Sequence, residues 1–111
     1  MQLFRTYYFL RTTHTNLKGM HPVVLRIIFL AERRDIFTGV YCNVEHWDKD
    51  SPHINNTKLE YLKMNIRLEQ FKKDVDDSFN ELKFSAKPFF IKDLMEKIRL
   101  KDKLPEPISD F

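Results

Sequence analysis

The sequence predicts an α+β domain: a three-stranded antiparallel sheet packed on one long helix, followed by a short second helix. Three β-rich runs occupy residues 3–12, 23–30 and 34–42, and their short connections favour an antiparallel meander. A run with helical periodicity follows at residues 57–83. The stripe of this helix and one face of the sheet each need an apolar cover, and each is the only cover of adequate size for the other.

The first predicted strand, residues 3–12, is rich in aromatic and β-branched side chains and lacks glycine and proline. The next stretch, residues 13–21, contains Asn16, Lys18 and Gly19, a composition that is typical of a loop. This loop therefore separates the first strand from the second.

Residues 23–30 form the second predicted strand, and Pro22 can precede them because the start of a strand tolerates a missing N–H. The odd-numbered residues of this strand are uniformly apolar, whereas Arg26 interrupts the even-numbered set. Because side chains alternate across a strand, the odd set faces the core and Arg26 lies on the opposite face. A short turn at residues 31–33 leads to the third strand, in which Gly39 predicts a bulge or bend.

The long helix follows a polar, irregular stretch at residues 43–56. Thr57 opens it, with Glu60 three residues later at the spacing of a capping box. Its apolar stripe recurs at alternating steps of three and four residues. The stripe consists of Tyr61, Met64, Leu68, Phe71, Val75, Phe79 and Leu82. Three further apolar residues are expected to widen it near its start, namely Leu59, Leu62 and Ile66.

A second, shorter helix is predicted after an interruption at residues 85–88, and Pro105 and Pro107 then end regular structure. Its apolar stripe consists of Ile91, Leu94, Met95 and Ile98. These features divide the chain into a domain at residues 1–84 and a short helix with a linker at residues 85–111.

The basic charge of the chain is concentrated in its N-terminal third. Residues 1–40 hold six basic and two acidic side chains, a net +4, whereas residues 41–111 hold thirteen and fourteen, a net −1. The formal charge of the whole chain is +3. This distribution favours a polyanionic partner that contacts the predicted sheet.

Other features concern the compartment and the chemistry of the chain. Cys42 is the single cysteine, which excludes an internal disulfide and suits a reducing cytoplasm. Arg5 and Arg11 interrupt the apolar run of a signal peptide, and residues 22–31 are too short to span a bilayer. We therefore expect a soluble cytoplasmic protein without a membrane partner. Phosphate-loop, catalytic-triad and zinc-site spacings are absent from the sequence, which predicts no cofactor, no metal and no catalytic residue.

The predicted helix covers one face of the sheet and leaves the other face open. Alternation assigns Arg5, Tyr7, Arg11, Arg26 and Arg33 to the open face. Arginine among aromatic and aliphatic side chains is unusual on the surface of a monomer that binds nothing. Such a face can enter the major groove of DNA, where arginine forks onto guanine and apolar tips touch thymine methyl groups. The predicted DNA-binding residues are Arg5, Tyr7, Arg11, Lys18, Arg26, Ile28, Arg33, Arg34 and Phe37.

Three other interpretations stay open from the residues alone. The arginines can simply keep a solvated face soluble, with their stems covering apolar neighbours. The open face or an exposed strand edge can take up a protein partner. As a weaker alternative, Tyr7, Phe9 and Phe37 can stack on the bases of single-stranded RNA.

Five short motifs in order resemble a known family. They are Phe9–Arg11, a loop ending in Gly19, Pro22–Ile27, Phe37–Val40 and Trp47–Asp48. This arrangement is similar to the N-terminal arm-binding domain of tyrosine recombinases, the integrases of conjugative transposons and prophages of Bacteroides-type bacteria. The resemblance covers residues 3–48 well, and the long and short helices agree in order and length.

The resemblance implies a three-stranded sheet that inserts its open face into the major groove at arm-type DNA sites. By matched position, Arg11 and Arg26 are the recurring strand arginines of the family, and Thr38-Gly39 is its third-strand signature. One departure is Leu30–Arg33, where the family usually has a glycine turn, so a longer or bulged hairpin is expected. Ile28 also stands at a commonly polar position.

The resemblance also implies what the chain lacks and what it contacts. The tyrosine nucleophile of such recombinases belongs to a separate catalytic domain, so this chain is expected not to be an enzyme, and residues 85–111 lead toward a missing core-binding and catalytic region. The expected partners are double-stranded DNA and the other domains of the same recombinase, with self-association on DNA left open. The expected location is the bacterial cytoplasm, on the nucleoid.

Overall fold

Three antiparallel strands form the main sheet of the protein in the order β1-β2-β3. In the computed structural model, which describes residues 4–51, 53–55, 58–85 and 87–103, the strands are β1 (Phe4–Leu10), β2 (His21–Phe29) and β3 (Glu32–Cys42). Two helices follow, α1 (Leu59–Phe84) and α2 (Ile91–Lys103). The predicted α+β class is therefore confirmed.

The β2–β3 hairpin is tighter than the sequence suggested. Phe29 pairs with Glu32, so only Leu30 and Ala31 connect the strands. Both have positive φ, 52° and 67°, as a type I′ turn requires. The prediction of a longer or bulged hairpin with its turn at residues 31–33 is wrong. Leu30 and Ala31 adopt a left-handed backbone, although this conformation costs about 1–2 kcal/mol for each residue.

The predicted bulge at Gly39 is confirmed. The pairing passes from Val24–Phe37 to Pro22–Tyr41, which leaves extra residues on β3. Gly39 has a φ of +85°, a conformation that a side chain would strain.

Helix α1 packs its apolar stripe on one face of the sheet. Every residue of the predicted stripe is buried or packed against the core cluster. The Tyr8 hydroxyl of β1 donates a hydrogen bond to the Leu68 carbonyl at 2.5 Å, which fixes the helix on the sheet. The capping role expected of Thr57 lies outside the described residues.

The prediction that three further residues widen this stripe is wrong. Leu59, Leu62 and Ile66 are exposed. The sheet contacts only one side of a helix, and these residues lie on the flank of α1 that turns away from the core. Helical periodicity alone does not reveal where the covering sheet ends.

The core is completed by the second helix and by aromatic packing. Phe29 contacts the rings of Phe4, Phe79 and Phe89, with centroid distances of 6.4, 5.3 and 5.0 Å. The predicted stripe of α2 is confirmed, since Ile91, Leu94 and Ile98 are buried and Met95 packs against the core. The expected end of structure at Pro105 and Pro107 lies outside the described residues.

The stretch that the sequence predicted as irregular contains two short strands, β4 (Trp47–Asp48) and β5 (His53–Ile54). Asn65 of α1 holds β5 in place. Its Oδ1 accepts a hydrogen bond from the Ile54 amide at 3.0 Å, and its Nδ2 donates to the Ile54 carbonyl at 2.9 Å. The described helices include none that is long and apolar enough to cross a membrane.

Candidate nucleic-acid interface

The face of the main sheet opposite α1 is here called the open face. Strand pairing arranges its side chains in rows across β1, β2 and β3, because directly paired residues point to the same side. The rows are Arg5–Ile28–Arg33, Tyr7–Arg26–Asp35 and Phe9–Val24–Phe37, with Arg11 and Tyr41 at the end of the face. Core residues Leu25, Ile27 and Phe29 alternate with this set along β2.

Asp35 of the outer strand β3 joins two arginines in the middle row of the open face. Its Oδ1 accepts a hydrogen bond from Arg26 Nε at 2.8 Å, and its Oδ2 accepts one from Arg26 Nη2 at 2.9 Å. Arg11 Nη2 donates to the same Oδ2 at 2.8 Å. The side chains of Arg26 and Asp35 are 21% and 25% exposed. The two strand arginines therefore converge on one carboxylate and remain accessible to solvent.

An aromatic ring supports this cluster. The guanidinium carbon of Arg26 lies 4.6 Å from the centroid of the Phe9 ring, and that of Arg11 lies 5.6 Å from it. The pKa of Arg26 is raised, chiefly by its hydrogen bond to Asp35 and secondly by one to Tyr7. The Arg26 hydrogen bond in turn holds the pKa of the Asp35 carboxyl below its ordinary value. Both groups stay charged across the physiological pH range.

Arg5 and Arg33 occupy the two outer strands in the same row. Both are exposed. Within the described part of the chain, neither guanidinium has a carboxylate partner. The open face thus carries four guanidinium groups against one carboxylate, a net charge of +3.

Apolar and loop residues flank the cations at the far end of the open face. Phe37 is 51% exposed and packs edge-on against Tyr41 at 5.3 Å between centroids. These rings, with Arg11 and Asp35, line a cavity of about 440 Å³. The β1–β2 loop contributes Asn16 to the same cavity. The loop therefore stands beside the open face.

The loop that carries Lys18 is held by its own hydrogen bonds. Asn16 Oδ1 accepts from the amides of Lys18 and Met20, each at 2.9 Å. Gly19 adopts a φ of +78°, which closes the turn. Lys18 is exposed beside Leu17, a fully exposed residue. The loop thus exposes one further cation, two residues from the Asn16 that lines the cavity of the open face.

The structure brings together seven of the nine residues that the sequence proposed for DNA binding. The seven on the open face are Arg5, Tyr7, Arg11, Arg26, Ile28, Arg33 and Phe37. Lys18 lies in the adjoining loop. Arg34 pairs with Ile27 and therefore lies on the side of the sheet that faces the helices. It forms an ion pair with Glu32 at 3.5 Å and lines a cavity beside α2.

Three participants were missing from that predicted set, namely Phe9, Tyr41 and Asp35. Alternation along β1 places Phe9 on the open face, but its contact with Arg26 depends on strand pairing. Tyr41 shares the odd-numbered alternation of Phe37, so the sequence pattern could have found it. Asp35 also follows this alternation, but its role as a bridge depends on which residues of β1 and β2 lie opposite it. That register is a tertiary property.

The open face consists of arginine, aromatic and aliphatic side chains with one carboxylate among its described residues. In the ranges that the structure describes, no group of three or more histidine, cysteine or carboxylate side chains could hold a metal ion. Burial raises the pKa of the Cys42 thiol to about 11, which makes it a poor nucleophile. What the open face can do chemically is donate hydrogen bonds and attract negative charge.

Comparison with known proteins agrees with this chemistry. The model of the arm DNA-binding domain family matches residues 8–95, which include the whole open face except Arg5 and Tyr7. No curated protein and no solved structure gives a significant match. Because the family model spans most of the sequence, the chain belongs to the arm-type DNA-binding domains of tyrosine recombinases and integrases.

Proposed function

We propose that this chain binds double-stranded DNA sequence-specifically through its open face, as the arm-binding module of a site-specific tyrosine recombinase. The observation that carries the proposal is the set of four guanidinium groups on the open face, with the partly exposed Ile28 and the half-exposed Phe37 beside them. Cationic side chains alone would bind any duplex through its phosphates. Arginine guanidinium groups beside apolar side chains can also recognise particular bases, because they match guanine O6 and N7 and the thymine methyl group.

The dimensions of the sheet support insertion into the major groove. Three strands at a spacing of about 4.8 Å are roughly 10 Å across, and the groove is about 12 Å wide. Arg26 lies on the central strand, where base edges would be nearest. Arg5 and Arg33 lie on the outer strands, and Lys18 lies in the loop, where the phosphates of the groove walls would be nearest. The centre of the face would therefore read bases, and its border would hold the backbone.

In the parent recombinase, this module would act as a tether. By holding an arm-type site, it raises the local concentration of the catalytic part at the core site. Its partners would be duplex DNA and the other domains of the same protein, with self-association on DNA as a further possibility to test. The cleaving and rejoining chemistry would belong to another domain, and the complex would work on the bacterial nucleoid.

Binding to labelled duplexes at several salt concentrations tests the proposal. We expect the affinity to fall steeply as salt rises, because each neutralised phosphate releases counterions. Arg33→Ala should weaken binding and reduce the salt slope by about one. Arg34→Ala is the matched control, because Arg34 is next to Arg33 in the chain but its side chain lies on the face of the sheet toward the helices. Equal binding to every duplex, or an affinity independent of salt, would contradict the proposal.

A protein partner on the open face is the second candidate, favoured by the half-exposed Phe37 ring. Binding of this kind would survive high salt and fail when Phe37 is replaced by alanine. Single-stranded RNA has less support, because Arg26 already lies over the Phe9 ring that would stack on a base. Competition between duplex DNA and single-stranded RNA separates these outcomes.

A further inference from the structure

Asp35 is the one acidic residue of the open face, and its position is costly for a surface that only attracts phosphate. It places a negative charge in the middle row of a cationic face, in contact with both Arg11 and Arg26. Simple electrostatic binding would be stronger without it, because like charges repel. The contribution of Asp35 must therefore concern how its arginine partners are held.

The contacts of Asp35 fix the Nε–Nη2 edge of Arg26 and leave donors on its terminal nitrogens for other partners. Arg26 presents Nε and Nη2 to the two carboxylate oxygens of Asp35. A guanidinium carries five N–H donors in a rigid fork. Asp35 accepts from two of them and Tyr7 from one, so two of the three remaining N–H groups on Nη1 and Nη2 stay available to a ligand. The Phe9 ring supports the plane of the guanidinium.

We infer, building on the proposed function, that Asp35 is a positioning residue that holds Arg26 side-on so that its terminal edge reads one guanine in the major groove. Guanine presents O6 and N7 as a pair of acceptors that match two parallel N–H donors. An arginine fixed before binding loses less side-chain entropy when the complex forms.

Two other roles for Asp35 fit the contacts less well. A carboxylate offers about four acceptor positions, and three of them are already occupied by Arg26 and Arg11, which leaves little for cytosine N4. The second alternative is an ion pair that only stabilises the fold. It is disfavoured because exposed ion pairs contribute little stability. Its signature would be an equal loss of binding to all duplexes, so a ratio of affinities distinguishes it.

The experiment begins with duplexes that the wild-type chain selects from a random-sequence pool. Each guanine of the selected duplex is then replaced by 7-deazaguanine, which lacks the N7 acceptor. We expect one position at which wild type loses affinity and Arg26→Ala does not. In Asp35→Asn, 7-deazaguanine at that position should cost less affinity than it does in wild type. The ratio of this variant's affinities for selected and random duplexes should be roughly tenfold lower than the wild-type ratio.

Matched variants separate positioning from charge and from folding. Asp77→Asn removes the same charge from an ion-paired aspartate on α1, so it should keep the wild-type ratio. Asp35→Glu keeps the charge but displaces the carboxylate by one methylene, so it should lower the ratio without strengthening random binding.

Different failures have different meanings. If the wild-type chain selects no duplex, the proposed function fails and this inference fails with it, before any variant is made. If a duplex is selected but Asp35→Asn and Asp77→Asn give the same ratio, or if no guanine position depends on Arg26, the proposed function stands and the role of Asp35 is overturned.

Discussion

The two faces of the main sheet are built from the same three strands but follow different rules. On the face covered by α1, Leu25, Ile27 and Phe29 of β2 are almost completely buried. On the open face, Arg26 and Ile28 of the same strand are partly exposed. The covered face therefore supplies most of the folding core, and the open face offers the charged and apolar groups on which the proposed binding rests. Substitutions can separate these two properties because alternate residues serve different faces.

Replacing a core aromatic should give the largest effect and confirm the role of the covered face. Phe29→Ala removes the ring that contacts Phe4, Phe79 and Phe89, and should lower the free energy of unfolding by about 3–5 kcal/mol. Phe37→Ala, on the open face, should change it by less than about 1 kcal/mol. Urea unfolding followed by circular dichroism measures both. Similar losses for the two variants would contradict the division between the faces.

A conservative change at Arg26 should weaken DNA recognition and leave folding intact. Lysine keeps the charge but cannot fork onto a base, so Arg26→Lys should reduce the affinity for a selected duplex by about 1–3 kcal/mol. The salt slope should stay close to that of the wild type, because the number of cations is unchanged. Fluorescence anisotropy titrations at several salt concentrations provide the measurement. A lower salt slope, with an unchanged preference for the selected duplex over random duplexes, would mean that Arg26 contacts a phosphate and not a base.

The β2–β3 turn offers a way to stabilise the sheet without touching either face. Leu30 and Ala31 both have positive φ, which Asn-Gly accepts with less strain. The double substitution Leu30→Asn with Ala31→Gly should raise the free energy of unfolding by about 1–2 kcal/mol. Duplex affinity should not change. Thermal unfolding monitors the first effect, and a lower stability of the double variant would show that the turn is not strained.

The smallest expected effect is a pH dependence that originates on the open face. The Arg26 hydrogen bond lowers the pKa of the Asp35 carboxyl from its ordinary value of 3.8, with Arg11 adding to it. A lowered pKa contributes stability that is present above the unfolded value and disappears as the pH falls through the folded value. Wild type should therefore exceed Asp35→Asn in stability by up to about 1 kcal/mol near neutral pH.

In acid, once Asp35 is protonated in the folded state too, this difference should vanish. Urea unfolding of both proteins at about pH 6 and about pH 2 measures it. Asp77→Asn provides the comparison on α1, where Lys73 forms an exposed pair. An equal difference at both pH values would mean that the Asp35 carboxylate does not stabilise the fold through its charge.

The sequence pattern alone predicted much of this protein, because its signals are local. Period-two alternation placed Arg26 opposite the core, helical spacing identified the stripe from Tyr61 to Leu82, and Gly39 marked the bulge. Each of these depends on residues close together in the chain. The exposure of Leu62 and Ile66 was missed because the same spacing does not say how wide a surface covers the helix.

What the sequence by itself determined was the α+β class, the two faces of the sheet and most of the arginines that share the open face. What only the tertiary structure decided was which residues meet: Asp35 with Arg11 and Arg26, and Arg34 with the helix side. Strand register determines these contacts. The register between β2 and β3 depends on a turn of two residues with positive φ, and the residue types at positions 30 and 31, leucine and alanine, do not predict such a turn.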